Sequence, residues 1–315
     1  MDLGNESAVK AKMLSIGYET DEDILWAVKD VSLEVPKNSI FCIVGESGSG
    51  KTTLGNAISG LLPPYSITRG HLIVDNILVI DNDKSNFKVI RGAVVRIPQN
   101  PSSALNPYLR IGAIFEDVVK SRTRNLTKAE IRETISKYLS TVQLDEEVLN
   151  LYPYQLSGGM AQRVAIAMAL AARPRVIVAD EPTSNLDAYL RSLVGNMLRS
   201  LVKFGITVVI ITHDIVFASH VCNYITVMYG GRVVEVGGVE EVFANPLHPY
   251  TVGLIEAALL KKTTVNSTKI NATEYCGASC VYEHKCPHRS ESCQVMPPLK
   301  HVSRTHGVAC WRVGA

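Results

Sequence analysis

A glycine-rich segment between an apolar strand and an apolar helix constrains this chain more than any other feature. Residues 45–52 read GESGSGKT, after a predicted strand over Ser39–Val44 and before a predicted helix over 52–62. Glycines let backbone N–H groups curl around phosphates without Cβ clashes, and the helix N-terminus adds partial positive charge. In such a loop Lys51 reaches the outer phosphates, and the Thr52 hydroxyl ligates Mg²⁺. The segment therefore predicts a site for nucleotide phosphates.

Short apolar strands alternate with longer helices over about residues 13–236. Val176–Ala179 and Thr207–Thr212, like Ser39–Val44, are unbroken apolar runs of strand length. Strands covered by helices on both faces have this composition, so the pattern predicts an α/β fold with a parallel sheet. The strand pattern vanishes between Pro98 and Ala172, which predicts a helical insertion. The expected helices are Ile111–Lys120, Lys128–Val142, Gly159–Ala172, Asp187–Phe204 and His248–Leu260.

Composition excludes several classes of protein. The chain has 315 residues, of which 46% are hydrophobic and 20% charged, and its formal net charge is +2. That balance gives no general affinity for nucleic acids or membrane surfaces. The longest apolar run, Val164–Ala172, is much shorter than the ~18 residues that a membrane-spanning helix needs. The first residues carry no apolar signal segment, so we expect neither a secreted nor a membrane-embedded protein.

Two adjacent acids end the apolar strand that begins at Val176. The segment reads VIVADE, and its carboxylates are Asp180 and Glu181. Burying two carboxylates at a strand end is costly unless a cation or a reactant compensates. We expect Asp180 to hold Mg²⁺, directly or through water, and Glu181 to polarise an attacking water as a general base.

A second glycine-containing helix start lies at residues 156–163, which read LSGGMAQR. Ser157, Gly158 and Gly159 precede an apolar helix, so free N–H groups and the positive end of the helix dipole are available to an anion. Alone, this segment is equally well explained as an ordinary capped helix. Together with the two preceding motifs, it indicates a particular family.

These motifs resemble the nucleotide-binding subunits of ATP-binding cassette (ABC) transporters, over about residues 13–260. The resemblance implies a P-loop NTPase core with a parallel sheet, a helical subdomain at about 100–172, and ATP and Mg²⁺ as cofactors. It implies catalytic roles for Glu181, His213 and Gln99, and Mg²⁺ ligation by Thr52, Gln99 and Asp180. The nucleotide-binding residues that it implies are Tyr18, Gly45, Ser47, Gly48, Gly50, Lys51, Thr52, Thr53, Ser157, Gly158, Gly159 and Asp187.

Several of these positions follow from their place in the order of family motifs. Gln99 ends the segment VVRIPQ and corresponds to the glutamine that touches Mg²⁺ or water and reports to the transporter. His213 follows TVVIIT and corresponds to the histidine that contacts the terminal phosphate. Ser184–Asp187 occupies the place of the family's D-loop. Tyr18 is the best candidate for the aromatic ring that stacks on adenine, although it could instead be a packing residue at a strand edge.

Other segments resemble the oligopeptide/dipeptide permease ATPases among these subunits. They are QNPSSALNP at 99–107, PLHPYTVGLIEA at 246–257 and LSGGMAQR at 156–163. The last resembles the family's signature segment, in which Met160 replaces the usual Gln. The resemblance implies an ATP-hydrolysing motor of an importer, for di- or oligopeptides. Motors for oligosaccharides or nickel, and a soluble ABC ATPase outside transport, remain alternatives.

The cysteines are unevenly distributed. Cys42 and Cys222 lie in apolar surroundings, where we expect inert core thiols; five others lie after residue 275. Four thiolates suit an iron–sulfur cluster or zinc equally by softness, and the spacing lacks the C-x2-C pair of common zinc sites. The resemblance implies that a [4Fe–4S] cluster is held by Cys280, Cys286, Cys293 and Cys310. Cys276 does not fit this pattern, and the tail histidines His284, His288, His301 and His306 are expected on a solvated surface.

The family resemblance also implies partners and a division of the chain. The expected units are a nucleotide-binding domain at 1–260 and a cysteine-rich extension at 261–315, joined by a linker at Lys261–Thr273. Each Ser157 segment closes over the nucleotide of the other subunit in a head-to-tail dimer. The partners are a second ABC ATPase in a heterodimer, two membrane permease subunits and an extracytoplasmic solute-binding protein, with no nucleic acid. The expected location is peripheral, at the cytoplasmic face of the cell membrane.

Overall fold

Two β-sheets and the helices around them make up the computed structural model, which describes residues 7–21, 23–123, 125–184, 186–260 and 279–313. The larger, central sheet has eight strands in the order β12-β13-β11-β10-β3-β9-β8-β7. The strands β10, β3, β9, β8 and β7 run parallel, which confirms the predicted α/β fold. They are β3 (Ile40–Val44), β7 (Val94–Ile97), β8 (Val176–Asp180), β9 (Thr207–Thr212) and β10 (Tyr224–Tyr229).

Three antiparallel strands extend the central sheet beyond β10. They are β11 (Arg232–Gly238), β12 (Lys300–His301) and β13 (Gly307–Val308). β13 pairs with β11 through Glu235↔Val308 and Val236↔Gly307. Residues 300–308 therefore supply the outermost strands of the sheet that carries the nucleotide motifs.

A second sheet, which the sequence analysis did not predict, is wholly antiparallel. Its order is β2-β1-β4-β5-β6, with β1 (Ser7–Glu19), β2 (Ile24–Pro36), β4 (Ser66–Val74), β5 (Ile77–Asp81) and β6 (Lys84–Ser85). The register of β1 shifts against both neighbours near Met13, whose φ is 47°. This irregularity interrupts the alternation of apolar and polar residues by which a strand is recognised.

The six expected helices are present, with ends that differ by up to three residues, and three shorter helices were not predicted. The α-helices are α1 (Lys51–Ser59), α2 (Pro101–Ala104), α3 (Ile111–Arg122), α4 (Lys128–Thr141), α5 (Gly158–Ala171), α6 (Ala188–Val202), α7 (Ile215–Val221), α8 (Val239–Ala244) and α9 (Pro249–Leu260). Short 3₁₀ helices occur at Phe87–Ile90, Glu146–Asn150, Pro153–Gln155, Glu283–Lys285 and Glu291–Gln294. No helix in the described ranges is long and apolar enough to cross a membrane.

The core consists of two layers, one on each face of the central sheet. Between the two sheets, α1 packs Leu54 and Ile58 against residues such as Ile211. On the other face, α3–α7 and α9 cover the sheet with a larger apolar cluster that includes Phe115 and Tyr250. Helices on one face and α1 with a second sheet on the other explain why the parallel strands are continuously apolar.

The expectation of inert thiols at Cys42 and Cys222 differs from the structure, in which the two form a disulfide. Cys42 is central in β3, and Cys222 lies two residues before β10, which pairs with β3. Their Cα atoms are 6.0 Å apart. The pairing of these strands brings together two cysteines that are 180 residues apart in sequence. The linker at Lys261–Thr273 and Cys276 lie outside the described residues, and the boundary between 260 and 261 stays a prediction.

Candidate functional site

The carboxyl ends of four parallel strands bring the predicted residues to one edge of the central sheet. β3 leads into the phosphate loop (residues 45–52), and β7 ends two residues before Gln99. β8 ends at Asp180, and β9 ends immediately before His213. Because parallel strands end at the same edge, phosphate-binding, acidic and histidine groups meet there, as ligand groups commonly do in α/β folds.

The phosphate loop needs glycine at its junction with α1. Gly50 caps α1 with φ 93°, in the left-handed region. A Cβ atom at this position would lie 2.2 Å from the carbonyl oxygen of Ala27 in β2. Any other residue would therefore have to displace backbone as well as adopt an unfavourable φ. The phosphate loop, which ends at this helix start, leaves the first N–H groups of α1 available to a phosphate.

Lys51 is held inside this loop. Its Nζ donates to the carbonyl oxygens of Gly45 at 2.8 Å and Glu46 at 2.7 Å. Burial lowers the pKa of the Lys51 ammonium, and the carboxylates of Glu181, Asp180 and Glu46 act in the opposite direction. The side chain is 6% exposed. A buried ammonium that faces several carboxylates is suited to a polyanionic ligand that brings its own cation.

Asp180 has a cationic partner that the sequence analysis missed. Arg96 of β7 donates from Nη2 to Oδ2 of Asp180, and both side chains are largely buried. In the register of β7 and β8, Arg96 lies opposite Val178, two residues before Asp180 and therefore on the same face. Arg96 lies within the quoted segment VVRIPQ, but its proximity to the acidic strand end depends on the order of the strands in the sheet, which the segment alone does not give.

Glu181 and His213 form a hydrogen-bonded pair. Oε1 of Glu181 accepts the backbone N–H of His213 at 3.1 Å and lies 2.9 Å from its ring Nδ1. Oε2 accepts the Thr212 hydroxyl at 3.2 Å. The hydrogen bond to Glu181 raises the pKa of the His213 imidazole. Glu181 has φ 46°, an unusual backbone conformation for glutamate that turns the chain at the end of β8.

Tyr18 lies beside the first turn of α1. Its hydroxyl donates to the Thr53 hydroxyl at 3.2 Å, and its ring centroid is 6.2 Å from that of Tyr65. The side chain is partly exposed. This location beside the phosphate loop is compatible with either stacking on a base or packing at the end of β1, so the adenine role stays a prediction.

The signature segment (residues 156–163) is built differently from the phosphate loop. Ser157 caps α5, and its Oγ accepts the N–H of Met160 at 3.2 Å. Ser157 and Gly158 are exposed, and a Cβ atom on Gly158 would meet nothing within 4 Å. Gly159 is buried, and its Cβ would lie 2.9 Å from Leu190 of α6. Ser157 and Gly159 contact α5 and α6, and within the described residues no hydrogen bond joins either of them to the phosphate loop.

Asp187 has a structural role in the chain as described. Its side chain accepts the N–H of Leu190 at 2.8 Å and caps α6. Gln99 is exposed after β7 and before α2. For both residues, the roles implied by the family resemblance stay predictions.

Tyr250 is a further residue at the site that sequence reasoning did not place there. Its phenol oxygen accepts the backbone N–H of Glu46, in the phosphate loop, at 3.0 Å. Burial raises the pKa of the Tyr250 phenol, so this group stays protonated. Tyr250 belongs to the segment PLHPYT, which the sequence analysis connected only with the resemblance to oligopeptide/dipeptide permease ATPases. No local pattern identifies this contact, because it joins residues 204 positions apart.

The cysteine-rich module (residues 279–313) brings its four cysteines to one cavity. The residues that line this cavity include Cys280, Cys286, Cys293 and Cys310. All four are free thiols, and burial raises the pKa of Cys280 to about 11. Among the residues that the structure describes, no three Cys, His, Asp or Glu side chains form a group that could hold a metal ion. The donor set thus fits a soft metal centre, whereas the arrangement is not that of a single-ion site.

One tail histidine contradicts the expectation of a solvated surface. His306 is 4% exposed, and its Nε2 lies 2.7 Å from Oε1 of Glu235, a fully buried carboxylate in β11. His284, His288 and His301 are exposed as expected. His306 immediately precedes β13, and the pairing of β13 with β11 brings it beside Glu235.

The oxygen donors at the sheet edge fit Mg²⁺. Mg²⁺ prefers carboxylate and hydroxyl oxygens together with phosphate oxygens. Thr52 is exposed at the start of α1, and Oδ1 of Asp180 has no hydrogen-bond partner among the residues that the structure describes. These donors, with Gln99, are the groups of this chain that would hold the ion.

Comparisons with known proteins agree with this geometry. Residues 28–184 match the family model described as ABC transporter, and residues 234–293 match the oligopeptide/dipeptide transporter C-terminal region. The oligopeptide transport ATP-binding protein OppD of Escherichia coli is 32% identical, over 98% of this chain and 94% of its own. The dipeptide transport ATP-binding protein DppD of Bacillus subtilis is 34% identical, over 97% of this chain and 95% of its own.

Solved structures of ATP-binding cassettes share the fold. A dimeric, post-hydrolysis cassette, MJ0796 bound to ADP and phosphate, matches with a TM-score of 0.66 and 34% identity, over 73% of this chain and 98% of its own. CbiO1 of Clostridium perfringens, part of the transporter complex cbiONQ, matches with a TM-score of 0.64 and 28% identity, over 81% and 97%. The near-complete coverage of both peptide-transport proteins decides the assignment: this chain belongs to the ABC transporter ATPases, in the oligopeptide/dipeptide family.

Proposed function

We propose that this chain hydrolyses ATP to drive the import of di- or oligopeptides through a membrane transporter. The observation that carries the proposal is the meeting of Lys51, Asp180, Glu181 and His213 at one sheet edge, around a loop built for phosphates. The names of the two peptide-transport relatives, and the match of residues 234–293, support peptides over oligosaccharides or nickel as the solute. The same match disfavours a soluble ABC ATPase outside transport.

In this proposal the phosphate loop binds and orients ATP. Its backbone N–H groups and Lys51 contact the β- and γ-phosphates, and Gly45, Ser47, Gly48, Gly50, Thr52 and Thr53 shape the contact. Thr52, Asp180 and Gln99 hold Mg²⁺, which supplies charge neutralisation at the phosphates. Tyr18 stacks on the adenine ring.

Hydrolysis is assigned to the pair at the ends of β8 and β9. Glu181 orients the attacking water and accepts its proton, a role worth ~10²–10⁴-fold in rate for a positioned base. His213 contacts the γ-phosphate and holds Glu181 in place through the observed hydrogen bonds. When ATP arrives, the His213 ring exchanges part of its contact with Glu181 for contact with phosphate.

The signature segment acts on a second chain. Ser157, Gly158 and Gly159 present exposed N–H groups at the start of α5, and we propose that they close over the nucleotide held by a partner ATPase, with Asp187 at the same interface. The dimeric assembly of the ADP-bound cassette MJ0796 supports this arrangement. A heterodimer with a related ATPase, two permease subunits and an extracytoplasmic solute-binding protein complete the importer, with this chain on the cytoplasmic face of the membrane.

Peptide uptake by living cells tests the proposed function. Source cells that lack this chain should lose uptake of a labelled dipeptide or tripeptide and regain it with the wild-type chain. Ser157→Arg should fail to restore uptake, whereas Ser140→Arg, at an exposed position of α4, should restore it. Loss of maltotriose or nickel uptake with normal peptide uptake would contradict the choice of solute. Uptake restored by Ser157→Arg would contradict the interface.

We also propose that Cys280, Cys286, Cys293 and Cys310 hold a [4Fe–4S] cluster that staples the module together. Their convergence on one cavity supports the proposal. A four-iron cluster binds each thiolate to a different iron, so its ligands lie further apart than those of a single zinc ion. Burial raises the pKa of the Cys280 thiol, and a bound metal centre would favour the thiolate form.

Analysis of anaerobically prepared protein tests the metal assignment. We expect iron and acid-labile sulfide in equal amounts, and Cys286→Ser should lose both. Ser292→Ala, a change beside Cys293 that leaves all four thiols, is the control. Stoichiometric zinc without iron would favour the zinc alternative, and neither metal would exclude both.

A further inference from the structure

Tyr250 holds one peptide unit of the phosphate loop from outside the loop. The N–H of Glu46 donates to its phenol oxygen at 3.0 Å, while the carbonyl of Gly45, in the same peptide unit, accepts from Nζ of Lys51 at 2.8 Å. This peptide is therefore fixed at both ends, by α9 on one side and by the phosphate-binding lysine on the other. Without the phenol, the peptide that positions Lys51 would keep only one of its two anchors.

Tyr250 is in turn held by an aromatic cluster that includes a residue of the cysteine-rich module. Its ring centroid is 4.7 Å from that of Tyr229 in β10 and 5.5 Å from that of Tyr282. The centroids of Tyr229 and Tyr282 are 5.2 Å apart, edge to face. Tyr282 lies between Cys280 and Cys286 in the chain. The rings of Tyr282 and Tyr250 thus connect the cysteine cavity to the phosphate loop.

A buried carboxylate fixes the same turn to the same module. Glu235 accepts the N–H groups of Leu247 at 2.8 Å and His248 at 2.9 Å, just before α9, and it also contacts His306. His248 adds a ring contact to Tyr282, with centroids 5.7 Å apart. The start of α9 and the module are therefore both held on β11. Tyr250, in the first turn of α9, contacts the phosphate loop from this position.

We propose that Tyr250 is a positioning residue of the phosphate loop and that Tyr282 keeps its ring in place, so that the cysteine-rich module controls nucleotide affinity. The proposal rests on the proposed function, because it takes the loop to be the nucleotide site. It assigns regulation to a module that reaches the loop through the ring of Tyr250. A loosened module then lowers affinity without any change in the residues that bind phosphate.

Binding of a fluorescent ATP analogue to the full-length chain tests the relay. Tyr250→Phe keeps the ring and removes the acceptor, and we expect ~3–10-fold weaker binding, the range for one lost hydrogen bond. Tyr224→Phe is the matched control, because Tyr224 begins β10 at the opposite edge of the sheet. Both variants should retain the wild-type melting temperature within a few degrees.

A double-mutant cycle tests the part played by the module. Tyr282→Leu should weaken binding ~3-fold, although Tyr282 is not assigned to the nucleotide, and Tyr282→Phe should restore wild-type affinity because the ring is retained. The double variant with Tyr250→Phe should bind no more weakly than Tyr250→Phe alone, because both changes act through the same contact.

The outcomes separate failure of the relay from failure of the proposed function. Wild-type affinity in Tyr250→Phe, or additive losses in the cycle, would overturn the relay while Lys51→Ala still abolishes binding. Unchanged binding in Lys51→Ala would overturn the loop as the nucleotide site, and the relay with it. A fall in affinity that tracks a large fall in melting temperature in Tyr250→Phe would also count against a positioning role.

Discussion

The phosphate loop and the signature segment both place glycines at the start of a helix, but the space around these glycines differs. A Cβ atom on Gly50 would lie 2.2 Å from a backbone oxygen, whereas one on Gly158 would meet nothing within 4 Å. Lys51 is buried in its loop, and Ser157 is exposed. The hydrogen bonds that hold Lys51 lie within one chain, whereas the tip of α5 is exposed, as the proposed interface with a partner ATPase requires.

The largest effect should come from the acid on the phosphate side. Glu181→Gln keeps the hydrogen-bonding shape and removes the base, so ATP turnover in the assembled transporter should fall by ~10²–10⁴-fold. Nucleotide affinity should stay within about threefold of wild type, since the loop is untouched. Steady-state hydrolysis and equilibrium binding measure the two. Glu240→Gln, in the first turn of α8, is the control; retained turnover in Glu181→Gln would contradict the assignment.

A matched pair of glycine substitutions tests the comparison itself. Gly50→Ala should lower nucleotide affinity of the isolated chain by ~100-fold, because a left-handed backbone and a blocked Cβ together cost about 3 kcal/mol. Gly158→Ala should leave affinity and melting temperature unchanged or slightly raised, since alanine favours a helix start over glycine. Equilibrium binding and thermal unfolding give both readouts. Similar losses in the two variants would abolish the distinction drawn here.

Arg96 offers a smaller effect on the same side. Its contact with Asp180 competes with Mg²⁺ for a carboxylate, so Arg96→Met should lower the Mg²⁺ concentration for half-maximal nucleotide binding by about tenfold. Arg232→Met removes a comparable arginine–aspartate contact, with Asp30 at 3.0 Å, away from the site. Titration of Mg²⁺ at fixed nucleotide compares them. An unchanged or increased Mg²⁺ requirement in Arg96→Met would show that the ion pair does not compete.

The smallest effect concerns the pH dependence of stability. The pKa of His213 is raised by Glu181, so the pair stabilises the folded chain below the ordinary pKa of ~6.5, and this contribution is lost as pH rises through the folded-state pKa. Because solvent exposure screens the pair, the effect should be small. The His213→Gln variant should melt a degree or two lower than wild type near pH 6 and should not differ from it near pH 9. A gap that widens with pH would contradict the sign.

The parallel strands and long helices were predictable because each carries its own periodicity. The acids of VIVADE and the glycines of the phosphate loop were equally readable, since strand, turn and helix follow one another in the chain. The antiparallel sheet was missed because its long strands contain irregular positions such as Met13. A signal for one hairpin was present: Asp75 and Asn76, with φ 50° and 63°, form the turn between β4 and β5, and these residue types tolerate that conformation.

The missed contacts at the site share a different physical cause. Arg96 contacts Asp180 from the neighbouring strand, and Tyr250 contacts Glu46 although the two residues are 204 positions apart in sequence. Such pairs depend on sheet order and helix docking, which no local pattern encodes. The same limit applies to Cys42 and Cys222, which apolar surroundings alone present as unrelated core thiols.

Glu235 has a consequence for where the chain could be shortened. Its carboxylate is 0% exposed and is shared by two amides before α9 and by the ring of His306. A protein cut before His306 would leave this buried carboxyl group without one of these hydrogen-bond partners, a loss that costs about 1–3 kcal/mol for a buried polar group. Shorter versions should therefore lose stability even though every residue assigned to the nucleotide is kept.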